Sequence, residues 1–267
     1  MREKLENDFL MDSIMGVSMC YACHGQRETK EGVNCETCHG PAIEGDSIEQ
    51  THSKKYRPGM AAMKKADFCA KCHEMKNPMS GSGIMTVHSE WLDSRAAKDG
   101  VTCQDCHMKQ GVNGIRYHGF DTATRNVRIY QDDLAVSAVK LEFPRISLFL
   151  ENRVSGHAVP ASCGTRILAI QISLRDADGR ELHNITSVFT KKTELMGGIM
   201  PFRVLENTQL QSGEKRLLAF GLPSSLRGRI REAVITLRFY EVPDEYHGDL
   251  KMANWTSEAF LEQEIIF

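Results

Sequence analysis

From Leu134 onward, apolar and polar residues alternate with period two. The segments AVSAVKLEF, RISLFLENR, RILAIQISLRD, ITSVFTKK, KRLLAFGLP and REAVITLRFYEV are rich in Val, Ile, Leu and Phe, and this spacing predicts β-strands. DADGR at Asp176–Arg180 predicts a hairpin turn, with Gly179 able to take positive φ. It lacks the ligand spacing and the terminal Glu of a calcium loop. Six to eight strands at this interval predict an immunoglobulin-like β-sandwich.

Earlier in the chain the period is helical and broken. SKKYRPGMAAMKKADFCAKCHEM predicts a helix from about Pro58 to Cys72. HSEWLDSRAAKDG predicts a second, from Ser89 to Lys98, with Ser89 capping its start and Gly100 closing it. The expected class is therefore α+β: a first domain over 1–125 of short helices and loops, then a β-sandwich over 126–267.

Composition sharpens that division. The 267 residues suffice for one large or two ordinary domains, and 41% are apolar. Eight of the nine cysteines precede residue 108, and only Cys163 follows. The shift places the boundary near Asp121–Gln131. Net charge is −2 and the charges nearly balance in each half, so the basic excess of a nucleic-acid binder is missing. No apolar run approaches the roughly 18 residues of a membrane span. No Ser/His/Asp arrangement, P-loop or dinucleotide fingerprint is evident, so the second half reads as a scaffold, cover or docking surface.

The eight early cysteines fall into one repeated pattern: CYACH at Cys20–His24, CETCH at Cys35–His39, CAKCH at Cys69–His73 and CQDCH at Cys103–His107. Zinc ribbons use CxxC pairs but do not require a histidine directly after the second cysteine, and neither does a disulfide framework. A redox CxxC is normally single. Covalent haem accounts for every position. Two thiols add to the two vinyl groups of one porphyrin, and the next residue supplies the proximal imidazole to the iron. The sequence thus predicts four haem c groups, held by Cys20, Cys23, Cys35, Cys38, Cys69, Cys72, Cys103 and Cys106, with His24, His39, His73 and His107 on the irons. With so little chain per haem, the porphyrins themselves form the core of the first half.

Haem attachment of this type follows export, so a periplasmic or extracellular location is expected. The start MREKLENDFLMDSIMG is charged and amphipathic, unlike a signal peptide. A signal or longer segment is expected ahead of this numbering.

CETCHGP followed by His52, and EWLDSRAAKDGVTCQDCHM at Glu90–Met108, resemble the multihaem cytochromes c, in particular the tetrahaem family of nitrifying bacteria. The resemblance covers about residues 1–120 and implies electron transfer between c haems in contact. The front departs from the family, because nothing before Cys20 matches its opening CxxCH and histidine-bearing helix.

Each iron has a second axial position. His52 stands 13 residues after His39, as a distal ligand does in the resembled family; His88 stands 15 after His73, and His118 stands 11 after His107. His157, in VSGHAVPASCG, lies far from any box, but similar Gly-His-x-x-Pro stretches occur in β-domains that trail multihaem cytochromes, and the resemblance implies haem contact. His183 and His247 read as strand and acidic-loop residues. Methionines such as Met60, Met63, Met75, Met79, Met85 and Met108 read as packing for porphyrin faces rather than ligands. Lys54, Lys55, Arg57, Lys64, Lys65 and Lys71 read either as partners for haem propionates or as a solvated face.

The functional expectation is electron transfer through mostly bis-histidine haems, exchanging electrons with redox partner proteins or an extracellular acceptor. The alternative is an oxidoreductase with one five-coordinate haem acting on a small nitrogen or sulfur compound. If His157 reaches the next chain, the contact is heterologous and builds rings or filaments. Extracellular tetrahaem cytochrome filaments are the resembled case; a monomer or small oligomer is the other arrangement.

Overall fold

The computed structural model describes residue 38 and residues 60–76, 83–119, 130–153, 156–161, 166–195, 202–241 and 259–267. Cys20, Cys23, His24, Cys35, His39 and His52 lie outside the described residues, as do Cys163 and His247. The fold is α+β, with strands dominating.

The second half is a sandwich of two antiparallel sheets. β3 (Leu134–Glu142), β4 (Arg145–Asn152) and β9 (Lys215–Gly221) form one, in the order β3-β4-β9. The other has the order β11-β10-β5-β6, from β5 (Arg166–Arg175), β6 (Glu181–Phe189), β10 (Glu232–Glu241) and β11 (Ala259–Ile266). A further hairpin, β7 (Lys191–Leu195) with β8 (Phe202–Asn207), lies between β6 and β9 in the chain. With that hairpin set aside, the first, second and fifth strands make one sheet, and the seventh, sixth, third and fourth make the other. This is an immunoglobulin-like split of three and four, with the fourth strand paired to the third rather than joining the opposite sheet.

Period-two alternation builds the core. On β4, Ile146, Leu148 and Leu150 point inward and are fully buried. They meet Leu168, Ile170, Ile172 and Leu174 of β5 and Ile235 and Leu237 of β10 in one cluster. Each such side chain contributes about 1.5–3 kcal/mol by leaving water. The other face of β5 is covered too, where Ile167 and Ala169 pack with Tyr240 and Val188. The β5–β6 turn is the expected one. Gly179 has φ +76°, and the Asp176 carboxylate accepts from the amides of Asp178 and Arg180.

The helical half departs from the sequence reading in detail. The expected helix from Pro58 to Cys72 is two short ones, α1 (Met60–Met63) and α2 (Asp67–His73), interrupted at 64–66. The expected Ser89–Lys98 helix is also two: α3 (Val87–Asp93) and α4 (Arg95–Lys98). Buried Ser94 makes the break. Its hydroxyl donates to the Trp91 carbonyl and accepts from the Ala97 amide, capping α4 where α3 stops. Ser89 is therefore inside α3 rather than its cap, and its hydroxyl and amide instead bond the Glu74 carboxylate. Gly100 takes φ +78° after α4, as expected. Glu74 belongs to β1 (Glu74–Lys76), paired with β2 (Gly83–Thr86), and α5 (Cys103–His107) carries the fourth box. A one-turn helix, α6 (Tyr130–Asp133), leads into β3.

Candidate functional site

The fourth box is a helix held at both ends. Thr102 caps α5: the Asp105 carboxylate accepts from its amide at 2.9 Å and its hydroxyl at 2.8 Å. Arg116 closes the other end, donating to the carbonyls of Gln104 and Met108 and pairing with Asp105 at 2.7 Å. The Thr102 amide, then Arg116, hold the Asp105 carboxyl down at about 2. Gln104 fastens α5 sideways: its buried amide donates to the carbonyls of Met63 and Lys65 in the segment before the third box.

That fastening sets the third and fourth boxes side by side. The thiols of Cys69 and Cys103, the first cysteine of each, lie close enough to shift one another's titration. Their interaction, with burial, pushes the Cys69 thiol strongly up and draws the Cys103 thiol down. Burial also raises the Cys106 thiol.

His157 meets this cluster from the sandwich. β4 ends at Asn152, whose fully buried amide donates to the carbonyls of His157 and Leu210. Val159 then pairs with Leu210 through an isolated bridge. Gly156 permits the approach, since a methyl there would lie 3.3 Å from Trp91 Cδ1 and 3.4 Å from Ala96 Cβ. His157 Nδ1–H donates to the Ala158 carbonyl at 3.0 Å. This fixes the tautomer and leaves the Nε2 lone pair for a ligand, as second-shell bonds do at metal sites. Burial lowers the pKa, keeping the ring neutral.

The ring centres of His107 and His157 are 6.2 Å apart, with planes within 9° of parallel. Two metal–imidazole bonds of about 2 Å each, with half a ring at either end, span roughly 6 Å. The separation of the pair therefore matches that of two imidazoles that would hold one iron between them. A bare zinc needs four ligands, and among the described residues no group of three or more His, Cys, Asp or Glu is gathered for one. A porphyrin brings four nitrogens of its own and needs only two imidazoles. Cys103 and Cys106, on the same helix as His107, would supply its thioether attachments.

The other candidates sit as follows. The Nε2 of His88, on α3, lies 3.1 Å from Asp67 Oδ1 at the start of the third-box helix, and its ring is 5.5 Å from Trp91. Trp91 donates to the Val101 carbonyl at 2.9 Å. His118 follows the turn closed by the Gln110–Arg116 bridge and is exposed, as is His73. Sequence reasoning gave no role to Gln104, Asn152, Glu90 or Lys191. Their work is done by contacts across long separations, which no local pattern marks.

No protein-family model matches the chain, and no curated protein sequence does. Among solved structures, its fold is similar to that of a penta-heme cytochrome c552 from Thermochromatium tepidum, with a TM-score of 0.58 and 19% identity over 78% of this chain. The match covers 57% of that protein's own chain. At this identity the likeness is one of fold.

Proposed function

We propose that this chain is a multihaem electron-transfer protein with four c haems, one at each CxxCH box. The haem of the fourth box is held between His107 and His157 of the same chain. The observation that carries the reading is the facing pair of parallel imidazoles at 6.2 Å, one in a box and one on the sandwich. The fold shared with a penta-heme cytochrome supports it. Bound there, the group supplies a one-electron iron couple.

The protein's part is to hold the ligands. Gln104 sets α5, Asn152 sets the loop, and the Ala158 carbonyl sets the tautomer of His157. Two protein ligands would leave an iron held there no open position, which favours electron exchange over substrate turnover. His88 and His118 remain the proposed partners of other irons, with His52 serving the box at Cys35–His39. Residues 1–125 are the haem-bearing unit in this reading, and 126–267 closes one haem from outside. Because His157 stands beside its own chain's His107, the contact between neighbouring chains that a filament would draw from His157 is not required.

The test is the intact mass of the purified protein after acid denaturation, with His157→Met in parallel. Four haems beyond the polypeptide mass are expected, with one of four haems changing ligation in the variant. A bare chain, or a mass matching zinc, overturns the haem reading. A reduced protein that binds carbon monoxide rapidly overturns full six-coordination in favour of an enzyme.

A further inference from the structure

The joint between α3 and the sandwich contains a charge pair, a buried ammonium beside a half-buried carboxylate, that the ligand geometry alone does not require. Lys191, the first residue of β7, is 2% exposed. Its ammonium donates to the Thr86 hydroxyl at 2.8 Å and lies 3.7 Å from Glu90 Oε1. The Thr86 hydroxyl in turn donates to Glu90 Oε1 at 2.6 Å. The other carboxylate oxygen, Oε2, accepts from the amide of Ala158 at 3.0 Å. Ala158 is the residue whose carbonyl holds the Nδ1–H of His157. An unbroken path of polar contacts therefore runs from Lys191 through Thr86 and Glu90 to Ala158 and His157.

Burying an ammonium and a carboxylate costs several kcal/mol per ion before pairing offsets it, and an apolar pair of similar volume would dock a helix on a sheet at least as well. Burial also gives each charge reach, because little water screens it. A carboxylate favours the oxidised, more positive state of a nearby iron, and an ammonium favours the reduced state. Hydrogen bonding and burial around an axial ligand are the recognised ways in which a protein sets a haem's potential.

We propose that Glu90 and Lys191 are positioning residues for His157, which fix its orientation through Ala158 and set the potential of the fourth-box haem with opposing charges. This rests on the reading that His157 ligates that haem. It adds that α3, which also carries His88, governs a second iron's ligand through Glu90.

The test uses the full-length haem-loaded protein in a redox titration followed by paramagnetic resonance, with Glu90→Gln, Lys191→Met and Lys191→Arg beside His157→Met. Glu90→Gln keeps the shape and an acceptor for Ala158 but removes the charge. The haem that responds in His157→Met should shift to higher potential in Glu90→Gln and to lower potential in Lys191→Met. Lys191→Arg should restore the native value. If that haem keeps its potential in Glu90→Gln, or if both neutral variants move it the same way, the pair only docks the helix and the proposal falls. If Lys191→Met fails to fold, Glu90→Gln decides alone. If His157→Met alters no haem, the ligand assignment itself is wrong, an outcome distinct from failure of the charge pair.

Discussion

Gln104 lies inside the fourth CxxCH box, yet its side-chain amide donates to the main-chain carbonyl of Met63 at 2.7 Å, ahead of the third box. A second bond runs from the same nitrogen to Lys65 at 2.9 Å. Two stretches 39 and 41 positions apart are thus joined by a buried side chain. Gln104→Leu should lower stability by about 1–3 kcal/mol, because it removes two hydrogen bonds of about 0.5–1.5 kcal/mol each. Unfolding should be followed separately by haem absorbance and by the sandwich's far-ultraviolet signal, and the haem signal should be lost first. Equal midpoints in variant and native protein count against this role.

In the proposed reading His157 would complete the fourth-box haem, which its burial alone does not require. His157→Ala should convert one low-spin haem to a mixed or high-spin state and open it to carbon monoxide, with the covalent haem count unchanged. Asn152→Ala should do the same more weakly, because Asn152 holds the His157 carbonyl at 3.2 Å rather than the ring. Optical and resonance spectra of the three proteins check the order.

Glu214 gives the sandwich a pH dependence. Burial works to raise its pKa, but bonds from Arg216 and the Gln211 amide outweigh it, so the folded value lies below the ordinary one. A depressed carboxyl stabilises the fold above its ordinary pKa of about 4.3, and the contribution is lost as pH falls below that. Glu214→Gln should therefore lower the melting temperature at pH 7, and the difference from the native protein should shrink on acidification. A difference that is constant with pH would rule out the ionic contribution.

Gly179→Ala should cost about 1–2 kcal/mol, since φ +76° puts a Cβ against its own backbone. No atom beyond Gly179 and its two chain neighbours lies within 4 Å of the added methyl, so the cost is conformational. Gly179→Asn should cost less, because asparagine tolerates this region. Chemical denaturation of the two variants measures the difference.

Period-two segments reported β3, β4, β5, β6, β9 and β10 because each has one face committed to the core. β11 escaped notice because it is an edge strand: only Phe260 on it is buried, and Glu262 and Glu264 interrupt its apolar run. The β7–β8 hairpin hid behind a first residue, Lys191, whose buried ammonium reads in sequence as solvent-facing. The helix breaks at 64–66 and Ser94 were illegible for a related reason. Serine at position 94 caps a helix through contacts that only the folded chain supplies. In the site, spacing marked the box residues Cys69, Cys72, His73, Cys103, Cys106 and His107 and named His157 as a ligand candidate. It could not say that His157 faces His107 rather than another box histidine, because that depends on where β4 ends.

The amide of Ala158 has an unusual partner for a residue at a sandwich edge: a carboxylate from a different part of the molecule, 68 positions back. Its neighbour Val159 instead donates within the sandwich, to Leu210. Two adjacent amide protons therefore exchange with solvent through different openings. Loss of the Val159 proton requires the sandwich edge itself to open, whereas the Ala158 proton is released whenever α3 lifts from the sandwich, with both parts still folded. The ratio of the two exchange rates measures how often the helical half separates from the sandwich.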